Sequence, residues 1–446
     1  MYTRSFASLR MTSNTGGSMS AVSRRDFARY LAISSSAVLL PDFPKGLLEK
    51  LPPLPKTPAE PDEQFWKEVR TRFLMPPDLA FINAANICPT SLPVVEALER
   101  NTRFLDANPS STSRAKLTEG REESRRLVAQ ALRVTPEEIV ITRNTSEANN
   151  FVSSGLHLGP GDEVVVFADN HPSNINAWRE KAKRFGFAVV EVPVVNPHPG
   201  AEFYVDAFRK ALTPRTRVLG VTHVTNTMGD MLPVAELCRI ARERGILTLV
   251  DGAQSFGVLD VNLSEMRPDF YSGSVHKWSC GPKETGVLFV NKDVHDRIAP
   301  SVVSLYPGAV GISKKLEAFG QRDEAALATL GAAMKFQDDI GRAAIERRAR
   351  QLAQRLTSEL PRIDGVSLLT SPDPTRSAAI IVFKPGNLEP RKFASTLYEK
   401  EKIVVASGGN TANHGVRISP HFYNTMEEVD RSIAAVRKYM ASGLSS

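Results

Sequence analysis

Short apolar runs that alternate with helix-like stretches constrain this chain more than any other feature. The run Asp162–Ala168, with Val164, Val165, Val166 and Phe167 at its centre, opens directly after Gly159, Pro160 and Gly161. Runs of the same kind lie at Val218–Val224, Ile246–Val250 and Gly286–Val290. A continuous apolar run bounded by turn residues reads as a strand buried on both faces. Between such runs lie stretches like Pro233–Arg244, with Val234, Leu237, Cys238 and Ile240 along one side at helical spacing. Strand and helix in alternation predict an α/β fold, a mostly parallel sheet flanked by helices. Ligands of such sheets sit beyond the carboxyl ends of the strands, so the residues just after each run are the places to look for chemistry.

From about Glu317 the pattern changes. Ala325–Leu360 is one long helix-like stretch, Ala378–Phe383 reads as a strand and Thr425–Met440 as a helix. These features predict a large domain over residues 91–316 and a smaller α+β domain over 317–446, which residues 63–90 join from the other end of the chain.

The net charge of +7 is unevenly placed. Residues 1–56 hold eight Lys and Arg against Asp26, Asp42 and Glu49, a balance of +5 that leaves +2 for the rest. A body so near neutrality gives no reason to expect a nucleic-acid partner. Arg24 and Arg25, followed by Phe27 and a weakly apolar stretch to Leu40, resemble a twin-arginine export signal over residues 1–40. The expected location is therefore the periplasm, with the cytoplasm as the alternative. Seven prolines between Pro41 and Pro61 mark residues 41–62 as an extended linker. No run is long enough to cross a bilayer. The three cysteines, Cys88, Cys238 and Cys280, have neither metal-like nor redox-pair spacing.

The strand ends carry a set of chemically distinctive residues. Lys277 stands on a turn that follows Asp269–Ser274, and Asp251 follows Ile246–Val250. Thr142–Glu147 follows the strand-like Glu138–Ile141 and opens a helix at Glu147–Gly155, so Thr145 and Ser146 stand where helix-start N–H groups make an anion site. His171 follows the run Asp162–Ala168, and Asn226 follows Val218–Val224. Gln254, Ser274 and His276 complete the set. Taken singly, each passes as a surface lysine, a turn former, a helix cap or a packing histidine. Taken together, they meet the five requirements of pyridoxal 5′-phosphate: an amine for a Schiff base, a carboxylate facing the pyridine nitrogen, phosphate donors, a ring stacked on the cofactor and a partner for its phenolic oxygen.

From about Phe65 to Tyr439 the chain resembles the class V aminotransferase family, fold-type I pyridoxal-phosphate enzymes that include cysteine desulfurases and isopenicillin N epimerase. The resemblance rests on Asn144–Glu147, His171 with Trp178, His223–Asn226, Asp251–Gln254, Ser274–Lys277, and Arg417 ahead of Tyr423–Thr425. It implies a cofactor bound to Lys277, with Asp251 as pyridinium partner and His171 stacked on the ring. It assigns the phosphate to Thr145, Ser146, Ser274 and His276, the phenolic oxygen to Asn226 and Gln254, and the substrate carboxylate to Arg417. Phe319–Asp323, with Gln321 where threonine is usual, and His276–Trp278 are similar to the isopenicillin N epimerase-like branch. In that branch the 319–323 segment reaches the phosphate of the neighbouring subunit, so Gln321 joins the cofactor-binding set and a homodimer with shared sites is expected. Val405–Thr411 contains no cysteine, which argues against desulfuration. The resemblance implies an aminotransferase-like enzyme acting on an amino acid or amine, with an epimerase or lyase as the alternative. A non-catalytic binding protein is the remote third reading, at odds with the presence of Lys277, Asp251 and His171.

Overall fold

In the computed structural model, residues 51–408 and 414–444 are described. The export-signal segment 1–40 and the loop residues 409–413 lie outside them. Residues 51–62, the described part of the proline-rich stretch, form no helix or strand.

The strands are β1 Ala80–Phe81, β2 Ile139–Thr142, β3 Glu163–Phe167, β4 Ala188–Val192, β5 Thr216–Thr222, β6 Leu247–Asp251, β7 Phe270–Ser274, β8 Gly286–Val290, β9 Val366–Leu368, β10 Ile381–Pro385, β11 Ile403–Val404, β12 Ala406–Gly408 and β13 Gly415–Ile418. The helices are α1 Glu63–Arg70, α2 Leu92–Ala107, α3 Ser111–Leu132, α4 Thr145–Gly155, α5 Pro172–Phe185, α6 Ala201–Ala211, α7 Val234–Glu243, α8 Leu263–Met266, α9 Ser313–Leu316, α10 Glu324–Ile340, α11 Arg342–Glu359, α12 Pro390–Glu401 and α13 Met426–Ser442.

The main sheet has seven strands in the order β2-β8-β7-β6-β5-β3-β4. The strands from β7 to β4 pair in parallel, and β8 runs antiparallel to both β2 and β7. Both faces of the sheet are covered, which is why its strands read as unbroken apolar runs. Val165 and Phe167 of β3 enter one core with Leu219, Val221 and Val250, while Val164 and Val166 enter another with Val218 and Leu249. The reversal of β8 was not apparent in its apolar pattern. It arises because residues 275–285 form a turn with no crossover helix, and a connection of that kind returns the chain antiparallel.

A second sheet, β12-β13-β10-β9, is antiparallel throughout, and β1 pairs with β11 in parallel. Its core runs from Leu352 to Tyr439 and takes in Ala80 and Ile82. The first core takes in Leu327, Leu330, Ile345 and Ala349, and also Ile380, Val382, Phe422 and Tyr423; along α11 the buried side chains pass from this core to the second between Ala349 and Leu352. The long stretch Ala325–Leu360 is two helices, broken at Gly341, whose φ of 93° suits glycine. α10 packs against α3 at short range: a Cβ on Gly120 would lie 2.8 Å from Ala328 Cβ, and Gly331 N donates to Ser124 Oγ at 2.9 Å. Among the described residues no helix is long and apolar enough to cross a membrane.

Candidate active site

Lys277 lies where the buried strand β7 leaves the sheet. The turn is closed by backbone bonds from Val275 N to Thr285 O at 2.9 Å, Cys280 N to Lys277 O at 2.9 Å and Gly281 N to Val275 O at 3.0 Å. The neighbouring Trp278 is fully buried. Its Nε1 donates to Gln254 Oε1 at 2.7 Å, and its carbonyl accepts from Gln337 Nε2 at 2.9 Å and His421 Nε2 at 2.6 Å. The backbone of the lysine is thus held from both sides. Burial lowers the basicity of its amine; Asp251 opposes that effect and Arg417 adds to it.

Asp251 ends β6 and is 1% exposed. Its Oδ2 accepts from Asn149 Nδ2 at 2.8 Å and Asn174 Nδ2 at 3.3 Å, and its Oδ1 accepts from Ala253 N at 3.1 Å. Asn149 is itself oriented by Ser272 Oγ, which donates to its Oδ1 at 2.7 Å. A buried carboxylate needs such partners, because leaving it bare costs several kcal/mol. Sequence reasoning missed both asparagines. The available signal was their spacing, one helical turn into α4 from Thr145 and into α5 from His171.

The expected phosphate residues partly converge. Thr145 begins α4, its N donates to Ser274 Oγ at 3.0 Å, and the two hydroxyls lie 2.8 Å apart. Asn144 caps the helix by accepting from Glu147 N at 3.0 Å. Gly286 permits this start, because a Cβ there would lie 2.6 Å from Asn144 Cα. Ser146 is half-buried on the first turn of the same helix. His276 is half-buried, and burial next to Lys277 pushes its imidazole down to about 4. Its Nδ1 is buried without a partner among the described residues. Gln321 stands apart: it is exposed and bonds Arg114 and Glu324, each at 3.4 Å, in a cavity of about 700 Å³ shared with Arg143, Lys283 and Phe319.

His171 caps α5, its Nδ1 accepting from Ser173 N at 3.2 Å, which leaves the proton of the neutral ring on Nε2. Burial, Lys277 and Arg417 hold the imidazole below its ordinary value, against Asp251. Arg417 lies on β13 and is 9% exposed. Its Nη1 donates to Asn226 O at 2.9 Å and its Nη2 to Asn83 Oδ1 at 3.5 Å, while Nε has no partner among the described residues. Burial pushes the guanidinium down to about 10, so it stays cationic at neutral pH. Asn226 thus meets Arg417 through its backbone carbonyl, and its side chain is half-buried. Gln254 donates to Ala85 O at 2.9 Å while accepting from Trp278, which leaves one of its N–H groups for another acceptor. Asn83 is a further contact that the sequence did not single out. Cys280, beside the lysine turn, is fully buried, and burial holds its thiol well above the ordinary range.

These residues fit pyridoxal 5′-phosphate. The bare His276 Nδ1 and the hydroxyl pair at a helix start would suit the phosphate, and the hydrogen-bonded Asp251 would suit the pyridine nitrogen. Fold and site together define a fold-type I pyridoxal-phosphate enzyme. The chain belongs to the class V aminotransferase family, whose description, Aminotransferase class-V, matches residues 83–431. It is 32% identical over 388 residues to a probable cysteine desulfurase of Methanothermobacter thermautotrophicus, covering 81% of this chain and 95% of that protein. It is 30% identical over 387 residues to the isopenicillin N epimerase of Streptomyces clavuligerus, covering 82% and 96%. Among solved structures it is similar to the apo cysteine desulfurase of Thermococcus onnurineus NA1, at 26% identity and a TM-score of 0.75 over 84% of this chain and 98% of that one.

Proposed function

We propose that this enzyme removes the Cα proton of an α-amino acid whose carboxylate is gripped by Arg417, with transamination as the outcome. The observation that carries this reading is Arg417 itself, a buried cation held by two neutral acceptors with no carboxylate of its own among those contacts. Its planar fork matches a carboxylate. When bound, pyridoxal phosphate supplies an electron sink next to the substrate Cα. Lys277 would hold it until the substrate amine takes its place, and the freed amine, of lowered basicity in that position, would accept the Cα proton and deliver it to the cofactor. Asp251, oriented by Asn149 and Asn174, would be the partner of the pyridine nitrogen. Thr145, Ser146, Ser274 and His276 bind the phosphate, Asn226 and Gln254 face the phenolic oxygen, and the neutral ring of His171 shields one face from water.

The likeness to an isopenicillin N epimerase over 82% of the chain favours a second reading, in which the proton returns to Cα or a leaving group departs. Addition of single amino acids without a keto acid separates the two. Stoichiometric keto acid with loss of the lysine-bound visible band supports transamination. Exchange of the Cα proton with deuterated solvent while the band persists supports the second reading.

Two further inferences complete this reading. The exposed Val302, Val303, Leu305 and Tyr306, beside the cavity that holds Gln321, fit a homodimer whose partner completes the phosphate site. Arg24 and Arg25 fit twin-arginine export to the periplasm. Fusion of residues 1–60 to a reporter, with and without both arginines, tests export, and unchanged localisation refutes it.

A further inference from the structure

The loop after β5 bears on both halves of the site. Val224 to Met231 closes on itself: Thr225 N donates to Asp230 O at 2.9 Å, Gly229 N to Thr225 O at 3.1 Å, and Asp230 N to Thr225 Oγ1 at 3.0 Å. One side of this loop is fastened towards the smaller sheet. Thr370 Oγ1 donates to Met228 O at 2.6 Å, and Ala378 N donates to Gly229 O at 3.3 Å. A Cβ on Gly229, at φ +76°, would lie 2.2 Å from Ile380 O. The tip of the loop carries Asn226, whose carbonyl accepts from Arg417, and next to it Thr227. The Thr227 hydroxyl donates to Asp169 Oδ2.

Asp169 follows β3 and lies two residues before His171. The residue between them, Asn170, is pinned to β5 by bonds to Gly220 O at 3.0 Å, Thr222 N at 3.0 Å and Thr222 Oγ1 at 2.8 Å. Asp169 is 8% exposed and makes no ion pair among the described residues; the titratable group beside it is another acid, Asp230. A buried carboxyl next to a second acid is costly, and a position that needed only packing would be better served by an apolar or amide side chain.

We propose that Asp169 is a positioning residue: by accepting the Thr227 hydroxyl it locks the loop that holds Arg417 to the loop that carries His171, and so sets the distance between substrate carboxylate and cofactor ring. This rests on the reading that Arg417 receives a carboxylate.

The test uses the full-length protein loaded with pyridoxal phosphate, with L-alanine as probe. In Thr227→Val and Asp169→Asn, cofactor content and the resting visible band stay unchanged. The apparent dissociation constant for L-alanine rises by about tenfold or more, the scale of one lost charge-assisted hydrogen bond. Thr227→Ser, which keeps the hydroxyl, restores tight binding. In an Arg417→Met background, Thr227→Val adds nothing further. Hydrogen exchange of segment 223–232, read with and without cofactor, accelerates in Thr227→Val. Unchanged exchange overturns the lock, as does faster exchange with L-alanine binding within about twofold of the parent. A parent protein that gives no spectral response to L-alanine or to any other single amino acid refutes the substrate reading instead, and hydrogen exchange then decides the lock alone.

Discussion

Arg417 and Asp230 bury charge in opposite ways. Arg417 keeps its proton because even a guanidinium pushed down to about 10 is cationic at neutral pH, and its donors await an anion. Replacement by lysine keeps the charge but loses the two-pronged geometry. The apparent dissociation constant for an amino acid should therefore rise on the order of tenfold to a hundredfold in Arg417→Lys, measured by visible titration. A shift within error would remove Arg417 from substrate binding. Asp230 instead responds by holding a proton. Burial, with Asp169 alongside, pushes its carboxyl up to about 7 from an ordinary value of 3.8, and its Oδ2 has no partner among the described residues. The folded chain therefore binds this proton more tightly than the unfolded chain. Its contribution to stability is fully present below the unfolded value, falls as pH rises through about 4 to 7, and stays lost above that, by on the order of a few kcal/mol. Asp230→Asn should match the parent in Tm near pH 4 and exceed it at pH 8. Equal melting at both pH values would show that the carboxyl is ionised at no cost.

At the scale of elements, α4 and α5 build the site twice, first by their starts and then by their first full turns. Their starts offer Thr145 and His171, and one turn further in Asn149 and Asn174 converge on Asp251. Asn149→Leu removes a hydrogen bond from a buried carboxylate, a loss of about 1–3 kcal/mol. Lower Tm together with weaker cofactor retention in equilibrium dialysis is the expected outcome; lower Tm with normal retention would make Asn149 structural only. Gly286→Ala tests the same start from the sheet side. The added methyl would press on the Asn144 backbone, so cofactor affinity should fall and stability should drop by about 1–3 kcal/mol. The helix starts were readable from caps and turn residues. The direction of β8 was not, because Val287, Leu288, Phe289 and Val290 are buried whichever way the strand runs.

On the scale of the whole molecule, an exposed apolar segment lies beside the site. Val303 is 85% exposed and Leu305 68%, a costly display for side chains of that kind next to a cavity. Light scattering of the purified protein should give twice the chain mass. The pair Val303→Asp and Leu305→Asp should shift it to the monomer and weaken cofactor binding. A variant that stays dimeric would place the interface elsewhere. Within one chain, α1 ties the two cores together through Glu63 with Arg348 at 2.8 Å and Arg70 with Glu428 at 3.1 Å, so the segment before β1 belongs to both.

The sequence by itself determined the α/β class and the strands that end in chemistry, and it singled out Lys277, Asp251, His171, Thr145 and Ser274 as candidates at those ends; Arg417 became a candidate only through the family resemblance. Periodicity, turn residues and helix caps are local properties, and they survive in a linear string. What only the tertiary structure decided was which groups meet. Asn83 reaches Arg417 across more than three hundred residues, Asn149 and Asn174 close on Asp251 from two helices, and Trp278 takes up one face of Gln254. The break at Gly341 and the transfer between cores within α11 belong to the same class. Each depends on how helices and strands distant in sequence pack against one another, and no local pattern encodes that packing.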